Sequence, residues 1–442
     1  MLLNRRGALA GAGGLMTALA TGEAWAQDSR RVRKAASSLS SASDDIMAFA
    51  EGVRIMKRRS DALSWDAQNR LHAQRAEHGN WRFLPWHRLQ VAHVERIIAQ
   101  LTGHANFAMP YWDWQVDRFL PPWVLDPTSP LYERERDPAA ETLDFQKARF
   151  AQSRDVARVS DDNFDAFCGR ERAAGRVEAY GHNIIHMLVG GYMSSTRTAA
   201  LDPVFWLHHC NVDRVWATWH QKNGDNVYPR PWKDVSMAGF TGPDGRQTGR
   251  WLASRITATR GLGYRYDALY PLRVFALPPG ALGGGPISTN QVSVRVDAVS
   301  SDGSVRLELP AEVVRMLREA PGRVTVEGSG VVAYERSENL TGRAIATSVL
   351  TEKGRVDLGV SPTFVHFGSA EEGEHSGHSG HSSHGDYAHV FTLDSAVVQL
   401  AKLTTGPMAI VSRAQDLRPE EQRPPARAVA LEASLTVTEY AA

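Results

Sequence analysis

Two groups of histidines limit the folds and sites that this chain can form more than any other feature of its sequence. His182 and His186 are four residues apart, a spacing that places two imidazoles on the same face of a helix. His208 and His209 follow 22 residues after His186, on a second predicted helix that begins at Asp202-Pro203. One histidine of this adjacent pair can complete a site in which three imidazoles hold one metal ion.

The other group consists of His72, His78 and His87. His78 lies in a predicted loop, and His87 opens a predicted helix that has Pro85 near its first turn. Six histidines in two triads within about 140 residues indicate a metal centre rather than scattered surface histidines. Sites built only from imidazole suit copper, zinc, iron or nickel, and a pair of them with open positions suits copper that handles O2.

The residues around these histidines resemble a known family. Residues 202–209 (DPVFWLHH) and the following Asp213-Arg214 resemble the second copper motif of tyrosinases, catechol oxidases and hemocyanins. Residues 83–88 (FLPWHR) resemble the first copper motif, and residues 110–114 (PYWDW) match the same family. Residues 262–266 (LGYRY) resemble the tyrosine motif that closes the catalytic domain of plant-type polyphenol oxidases. The chain therefore resembles a bacterial tyrosinase or polyphenol oxidase with a plant-type two-domain layout.

This resemblance implies a mainly α catalytic domain, a four-helix bundle around two copper ions, which uses O2 to oxidise small phenols or catechols to o-quinones. Hydroxylation of monophenols is expected as well. The metal ligands that carry over are His72, His78 and His87 for one copper, and His182, His186 and His209 for the other. His208 competes with His209 for the last position.

Further roles follow from the same resemblance. Glu178 and Asn183 are expected to hold a water that takes the proton of a phenol, although Glu178 as a solvated carboxylate beside Arg176 is the alternative. Thr196 stands 13 residues before His209, where plant-type catechol oxidases carry a bulky Phe, so we expect an open site.

The two cysteines of the chain, Cys168 and Cys210, are expected to be free buried thiols. No cysteine lies near the first triad in the sequence, so the thioether that fixes one histidine in many relatives is expected to be absent.

Several functions are compatible with these motifs. The first is a phenol and catechol oxidase. The alternatives are an oxidase of catechols only, an o-aminophenol oxidase, an oxygen carrier of the hemocyanin type, and a copper-binding protein without catalysis. The net charge of +1 favours neither nucleic acid nor a membrane surface as a partner.

Residues 1–26 read as an export signal. Arg5-Arg6 precedes an apolar run over residues 7–20, too short to span a bilayer, and residues 24–26 (AWA) fit a cleavage site. The paired arginines resemble a twin-arginine signal, which predicts export, for a bacterial protein into the periplasm. Residues 27–45 are expected to form a flexible arm.

Hydrophobic periodicity divides the rest of the chain. Helical spacing after residue 45, and over residues 87–101, 177–189 and 203–220, places a copper domain at 46–272. A glycine-rich linker is expected at 273–287, followed by alternating strands at 288–442 that predict an all-β, sandwich-like domain.

The His-rich segment 374–385 of the predicted second domain can either capture copper or serve as a plain solvated loop. In plant-type relatives a C-terminal sandwich covers the active site, so latency is a hypothesis for this chain too.

Overall fold

The computed structural model describes residues 31–146, 164–171, 173–270, 286–296, 304–319, 324–334, 343–362, 385–393, 395–416 and 428–440. The predicted export signal and residues 374–384 of the His-rich segment lie outside these ranges. Most of the predicted linker does too, and its last two residues, 286 and 287, belong to a strand. The domain boundary therefore stays a prediction.

Among the described residues, five helices of at least 7 residues build the first part of the chain. They are α1 (Asp44–Lys57), α2 (Trp65–Arg75), α3 (Phe83–Thr102), α4 (Asn183–Val189) and α5 (Pro203–Asn223). A wide π turn, Val177–His182, leads directly into α4. The four predicted helical stretches are confirmed, whereas α2, which carries His72, was not predicted.

Side-chain caps fix where two of these helices begin. Ser64 accepts a hydrogen bond from the Ala67 N–H at the start of α2. Asp202 accepts one from the Val204 N–H at the start of α5, where Pro203 occupies the first helical position.

Short elements connect the helices. They are the helices Pro138–Thr142, Phe164–Cys168 and Arg230–Lys233, the 3₁₀ turns Ala36–Ser38, Pro122–Val124, Gly191–Ser194, Ala199–Leu201, Ala253–Arg255 and Thr259–Leu262, and the antiparallel pairs Gly169–Arg170 with Ala173–Ala174 and Ser236–Met237 with Trp251–Leu252.

Helix α3 is central to the helical core, where it packs against α1 and against α5. The core is rich in tryptophan, with fully buried indoles at Trp65, Trp112, Trp114, Trp206, Trp216, Trp219 and Trp232. Three of these indoles, Trp206, Trp216 and Trp219, lie on α5 itself, and Trp114 faces His208 of that helix at 6.0 Å. The prediction of a helix-rich core is confirmed, and its finer form, a four-helix bundle, stays a prediction.

The expectation of a flexible arm is wrong for its described part, residues 31–45. Strand β1 (Arg31–Arg33) pairs in parallel with β2 (Tyr264–Tyr266), so that Arg33 lies opposite Tyr266. Both arginines of β1 are buried, at 2% and 0% exposure. Charged side chains are buried only where they are paired, and these arginines find their partners inside the helical core.

Those partners are two carboxylates on the central helices. Arg33 contacts Glu95 at 3.1 Å and Asp213 at 3.0 Å, while Arg88 forms a second ion pair with Asp213. The Tyr264 hydroxyl also donates to Asp213, at 2.6 Å. Burial by itself raises the pKa of the Asp213 carboxyl, but Arg88 and Arg33 outweigh it and hold that pKa below its ordinary value.

The C-terminal part contains two antiparallel four-stranded sheets. Its strands are β3 (Pro286–Val296), β4 (Val305–Glu308), β5 (Val324–Tyr334), β6 (Arg343–Thr351), β7 (Gly354–Pro362), β8 (Gly385–Leu393), β9 (Ala409–Asp416) and β10 (Ala428–Tyr440). The sheet orders are β7-β6-β9-β4 and β8-β5-β10-β3. The prediction of an all-β domain is wrong in one respect, because helices α6 (Ala311–Glu319) and α7 (Ser395–Leu403) accompany the sheets and pack on each other.

The two parts of the chain touch at the histidine-bearing helix. Strand β7 contacts both the π turn and α4, and β8 contacts the short strand Ala173–Ala174. Among the described residues, no helix combines the length and apolar character needed to cross a membrane.

Candidate metal centre

The first histidine group joins two helices and the loop between them. His72 comes from α2, His78 from the loop and His87 from the first turns of α3. The ring centroids lie 5.3 Å apart for His72 and His78, 5.5 Å for His72 and His87, and 4.9 Å for His78 and His87. One nitrogen of each ring lies within 4.8 Å of the others, close enough for a shared metal ion.

The second group has four members rather than three. His182 ends the π turn, His186 lies on α4, and His208 and His209 lie on α5, again with one nitrogen of each within 4.8 Å of the others. The Nε2 atoms of His182 and His209 are 3.2 Å apart. The ring of His209 also stacks on His87 of the first group at 4.4 Å. The two groups thus form one continuous site.

Four of these rings are oriented by a hydrogen bond at Nδ1. Since each acceptor is a carbonyl oxygen, Nδ1 carries the proton, which leaves Nε2 as the metal-binding atom. The donor and acceptor pairs are His72 with the Thr196 carbonyl at 2.9 Å, His87 with the Phe83 carbonyl at 2.8 Å, His186 with the Met193 carbonyl at 2.6 Å, and His182 with Asn183 Oδ1 at 2.7 Å.

The electrostatics of the site favour neutral imidazole. Burial, and then repulsion between neighbouring histidines, holds the pKa of His87, His182 and His209 well below the ordinary value. A neutral ring keeps a lone pair for a metal ion, so binding needs no proton to leave. The buried Nε2 of His87 has no hydrogen-bond partner among the described protein atoms. A set of imidazole donors that includes an unpartnered, buried nitrogen of this kind fits a copper ion.

The adjacent histidines of α5 differ in what they face. His209 contacts His182 and His87, one member of each group, whereas His208 stacks on His182 at 5.1 Å and faces Trp114 at 6.0 Å. Both ring nitrogens of His208 are buried without a partner among the described atoms. His209 therefore contacts the first group as well as its own, and its assignment as the sixth ligand in place of His208 stays a prediction.

The π turn brings the two predicted proton-handling residues together. A π turn bonds residues five apart, and here the Asn183 N–H donates to the Glu178 carbonyl. The Asn183 side chain also orients His182, a role that the sequence did not predict. Glu178 is 1% exposed, so its alternative role as a solvated surface carboxylate does not apply.

The Glu178 carboxyl also reaches the loop of the first group. Its Oε1 accepts a hydrogen bond from the Gly79 N–H at 2.6 Å, next to His78. Burial raises the pKa of this carboxyl to about 8, partly offset by that N–H. A group that titrates near neutrality can both take and return a proton.

Two phenylalanines line the site between the groups. Phe83 lies 4.6 Å from the His182 ring and 4.7 Å from the His87 ring, and Phe205 lies 4.2 Å from His209 and 4.8 Å from His72. Each precedes a histidine of its own helix by four residues, a helical spacing that could have identified it from the sequence. Both phenylalanine side chains are buried, so the two histidine groups are lined by apolar rings.

The Thr196 backbone carbonyl accepts a hydrogen bond from His72 of the first group. The open site expected from its small side chain stays a prediction. Asn69 and Met193 complete the surroundings of the site and were missed, since neither stands in a motif. Cys168 and Cys210 are both free and buried, as predicted.

The fold and the site define a class of protein in which paired histidine groups in a helical core can hold two metal ions. Residues 56–146 and 123–222 match the family described as the common central domain of tyrosinase. The part of the chain that carries both histidine groups is therefore similar to the central domain of tyrosinases, and this match covers less than half of the chain.

Comparisons with individual proteins agree with this assignment. The chain is 29% identical over 232 residues to the tyrosinase HcTyr1 of Hahella sp. (strain CCB-MM4), an alignment that covers 45% of this chain and 48% of that protein. It is 31% identical over 226 residues to the chloroplastic (+)-larreatricin hydroxylase of Larrea tridentata, covering 43% of this chain and 38% of that protein. The chain thus spans about half the length of these curated relatives or less.

The solved structure of latent apple tyrosinase resembles this chain over both parts. It superposes with a TM-score of 0.63 at 17% identity and covers 93% of this chain and 97% of the apple chain. At that identity the likeness concerns the fold alone, and it includes the two-part layout.

Proposed function

We propose that this protein is a binuclear copper oxidase that uses O2 to oxidise phenols and catechols to o-quinones. The stacking of His87 on His209 at 4.4 Å carries the proposal, because it joins two metal-binding groups into one site. Each bound copper ion would supply one electron to O2 and an open position for a phenolic oxygen. His72, His78 and His87 would hold one ion, and His182, His186 and His209 the other.

The surrounding residues prepare the substrate. Phe83 and Phe205 offer aromatic surfaces against which a phenol ring can pack. Glu178 accepts the phenol proton, directly or through a water that the Asn183 amide helps to hold. We also propose that the small side chain of Thr196 leaves the site more open than the bulky Phe of plant-type catechol oxidases would. Small neutral phenols fit a site built from buried, uncharged rings.

The test is oxygen uptake and quinone absorbance of the copper-loaded protein with tyrosine and with catechol in parallel. Turnover of both substrates supports a tyrosinase. Turnover of catechol alone makes the protein a catechol oxidase and removes the proton-accepting role from Glu178 and Asn183. A protein that turns over neither substrate, with the C-terminal part removed as well, is better described as an oxygen carrier. Turnover of o-aminophenol would instead support the alternative that the protein is an o-aminophenol oxidase.

Replacing Glu178 by Gln separates the two activities. We expect oxidation of tyrosine to fall by roughly 100-fold, since general-base catalysis contributes about 10²- to 10⁴-fold, while catechol turnover falls much less. The amide can no longer take a proton, but it keeps an oxygen that can accept from the Gly79 N–H. The ratio of tyrosine to catechol turnover is the measurement, and an unchanged ratio excludes this role for Glu178.

The contact of β7 with α4 supports latency. Because that strand lies against the helix carrying His186, the C-terminal part would restrict access to the site. Proteolytic removal of the residues beyond about 280 is therefore expected to raise catechol turnover, measured at equal copper content. Unchanged activity after complete cleavage would exclude latency.

We also propose a periplasmic location, on the basis of the export signal that the sequence predicts for residues 1–26, and fractionation of cells expressing the full chain would test it. Copper capture by the histidines of residues 374–385 is a separate proposal that rests on composition alone.

A further inference from the structure

The segment between α4 and α5, residues 190–202, supplies backbone carbonyls to both histidine groups, and we call it the bridging loop. The Met193 carbonyl accepts from His186 Nδ1 at 2.6 Å, and the Thr196 carbonyl accepts from His72 Nδ1 at 2.9 Å. Each bond sets the direction in which Nε2 points. A shift of this one short loop would therefore turn a ligand in each group.

One face of α2 holds the bridging loop in place. Trp65, Asn69 and His72 are spaced four and three residues apart, so their side chains lie along the same side of the helix. Trp65 donates to the Leu201 carbonyl at 2.9 Å and Asn69 donates to the Arg197 carbonyl at 2.8 Å. The Asn69 bond thus anchors the residue directly after Thr196, whose carbonyl orients His72.

The other end of the loop is fixed by close backbone packing. Gly190 and Gly191 have φ values of 66° and 55°, a region that favours glycine. A Cβ added to Gly191 would lie 1.9 Å from the Glu135 carbonyl oxygen. The Tyr192 N–H donates to that same oxygen at 3.3 Å. With this end fixed, a displacement at Arg197 has to be taken up between residues 192 and 197, where both orienting carbonyls lie.

Asn69 is only 8% exposed, and its Oδ1 is buried without a hydrogen-bond partner among the described atoms. A buried amide oxygen without a hydrogen-bond partner lowers the stability of the folded state, so stability alone does not explain an asparagine here. We propose that Asn69 is a positioning residue for both metal sites, which acts through the bridging loop on His72 and His186. This inference rests on the proposed function only in treating the two groups as copper sites.

The test compares Asn69→Ala with Gln68→Ala in the full-length protein. Gln68 is the matched control, because it is a buried amide on the same helix whose Nε2 donates to the Ala62 carbonyl at 2.8 Å, outside the bridging loop. Copper affinity is measured by titration against a competing chelator, and the melting temperature is measured without copper. We expect Asn69→Ala to weaken copper binding by about 10- to 100-fold, the range for residues that orient ligands, with catechol kcat falling and KM nearly unchanged.

Asn69→Asp gives an independent check, since it has the same shape but no N–H to donate, and we expect the same loss of copper affinity. Gln68→Ala should lower the melting temperature as much as Asn69→Ala and retain copper affinity. The proposal is overturned if either Asn69 variant folds and binds copper as tightly as the wild type. It is also overturned if Gln68→Ala loses as much copper affinity as Asn69→Ala. A wild-type protein that binds two copper ions and oxidises no substrate contradicts the proposed function, while the titration still decides the role of Asn69.

Discussion

Replacing Asp213 by Asn is expected to lower the free energy of unfolding by about 3–5 kcal/mol, the usual effect of removing one partner from a buried ion pair. Asp213 is 3% exposed and receives Arg33, Arg88 and the Tyr264 hydroxyl. The neutral amide would leave the buried charge of Arg88 without a carboxylate partner among the described residues. Urea denaturation of the copper-free protein, followed by tryptophan fluorescence, measures the change.

Asp61→Asn is the control for this prediction, because Asp61 forms an exposed ion pair with Arg59 and its loss should leave the denaturation midpoint unchanged. The folded-state pKa of Asp213 lies below its ordinary value, so the stabilisation is complete at neutral pH. It is lost only as the pH falls below about 4. An Asp213→Asn protein as stable as wild type would show that the buried network contributes little.

Replacing His209 by Ala is expected to remove one of the two copper ions and to lower catechol turnover to below roughly one hundredth of wild type. Residues that merely orient a ligand change metal affinity or activity by about 10- to 100-fold, so the loss of a ligand should exceed that range. Copper content after dialysis and oxygen uptake with catechol are the two measurements.

His208→Ala is the matched control, since His208 is the neighbouring residue, is equally buried and also touches His182. We expect this variant to keep two copper ions and most of its turnover. The opposite pattern, in which His208→Ala loses copper and His209→Ala keeps it, would assign the sixth ligand to His208.

The sequence predicted the histidine groups because their chemistry depends on residue type and spacing. His182 and His186 could be paired from a four-residue interval, and His87 and His209 from the motifs around them. Helix α2 was not predicted because its sequence, WDAQNRLHAQR, is mostly polar and shows no apolar stripe. Only its cap, Ser64, marked its start. Asn69 was missed because its side chain donates to the Arg197 carbonyl of a distant loop, which no spacing within α2 reveals.

The residues ahead of α1 were misjudged for a related reason. A run rich in arginine and serine is typical of a solvated segment, and the interpretation fails when buried carboxylates far along the chain provide partners. Glu95 and Asp213 lie 62 and 180 residues from Arg33. Helices α6 and α7 of the C-terminal part were missed because they are short and lie between strands in the sequence. Ionic partners at such separations are set by the tertiary fold and not by local pattern.

The pairing of β1 with β2 also bears on the order of folding. Arg31 donates to the Leu262 carbonyl, 231 residues along the chain, so this contact closes a loop that contains the whole helical core. Closing so long a loop has a large entropic cost that is recovered only once the intervening helices have formed. On the ribosome, residue 31 must wait for residue 264 to emerge before its strand can pair. We therefore expect the helices to assemble first and the two ends of the domain to dock last, in the rate-limiting step of folding.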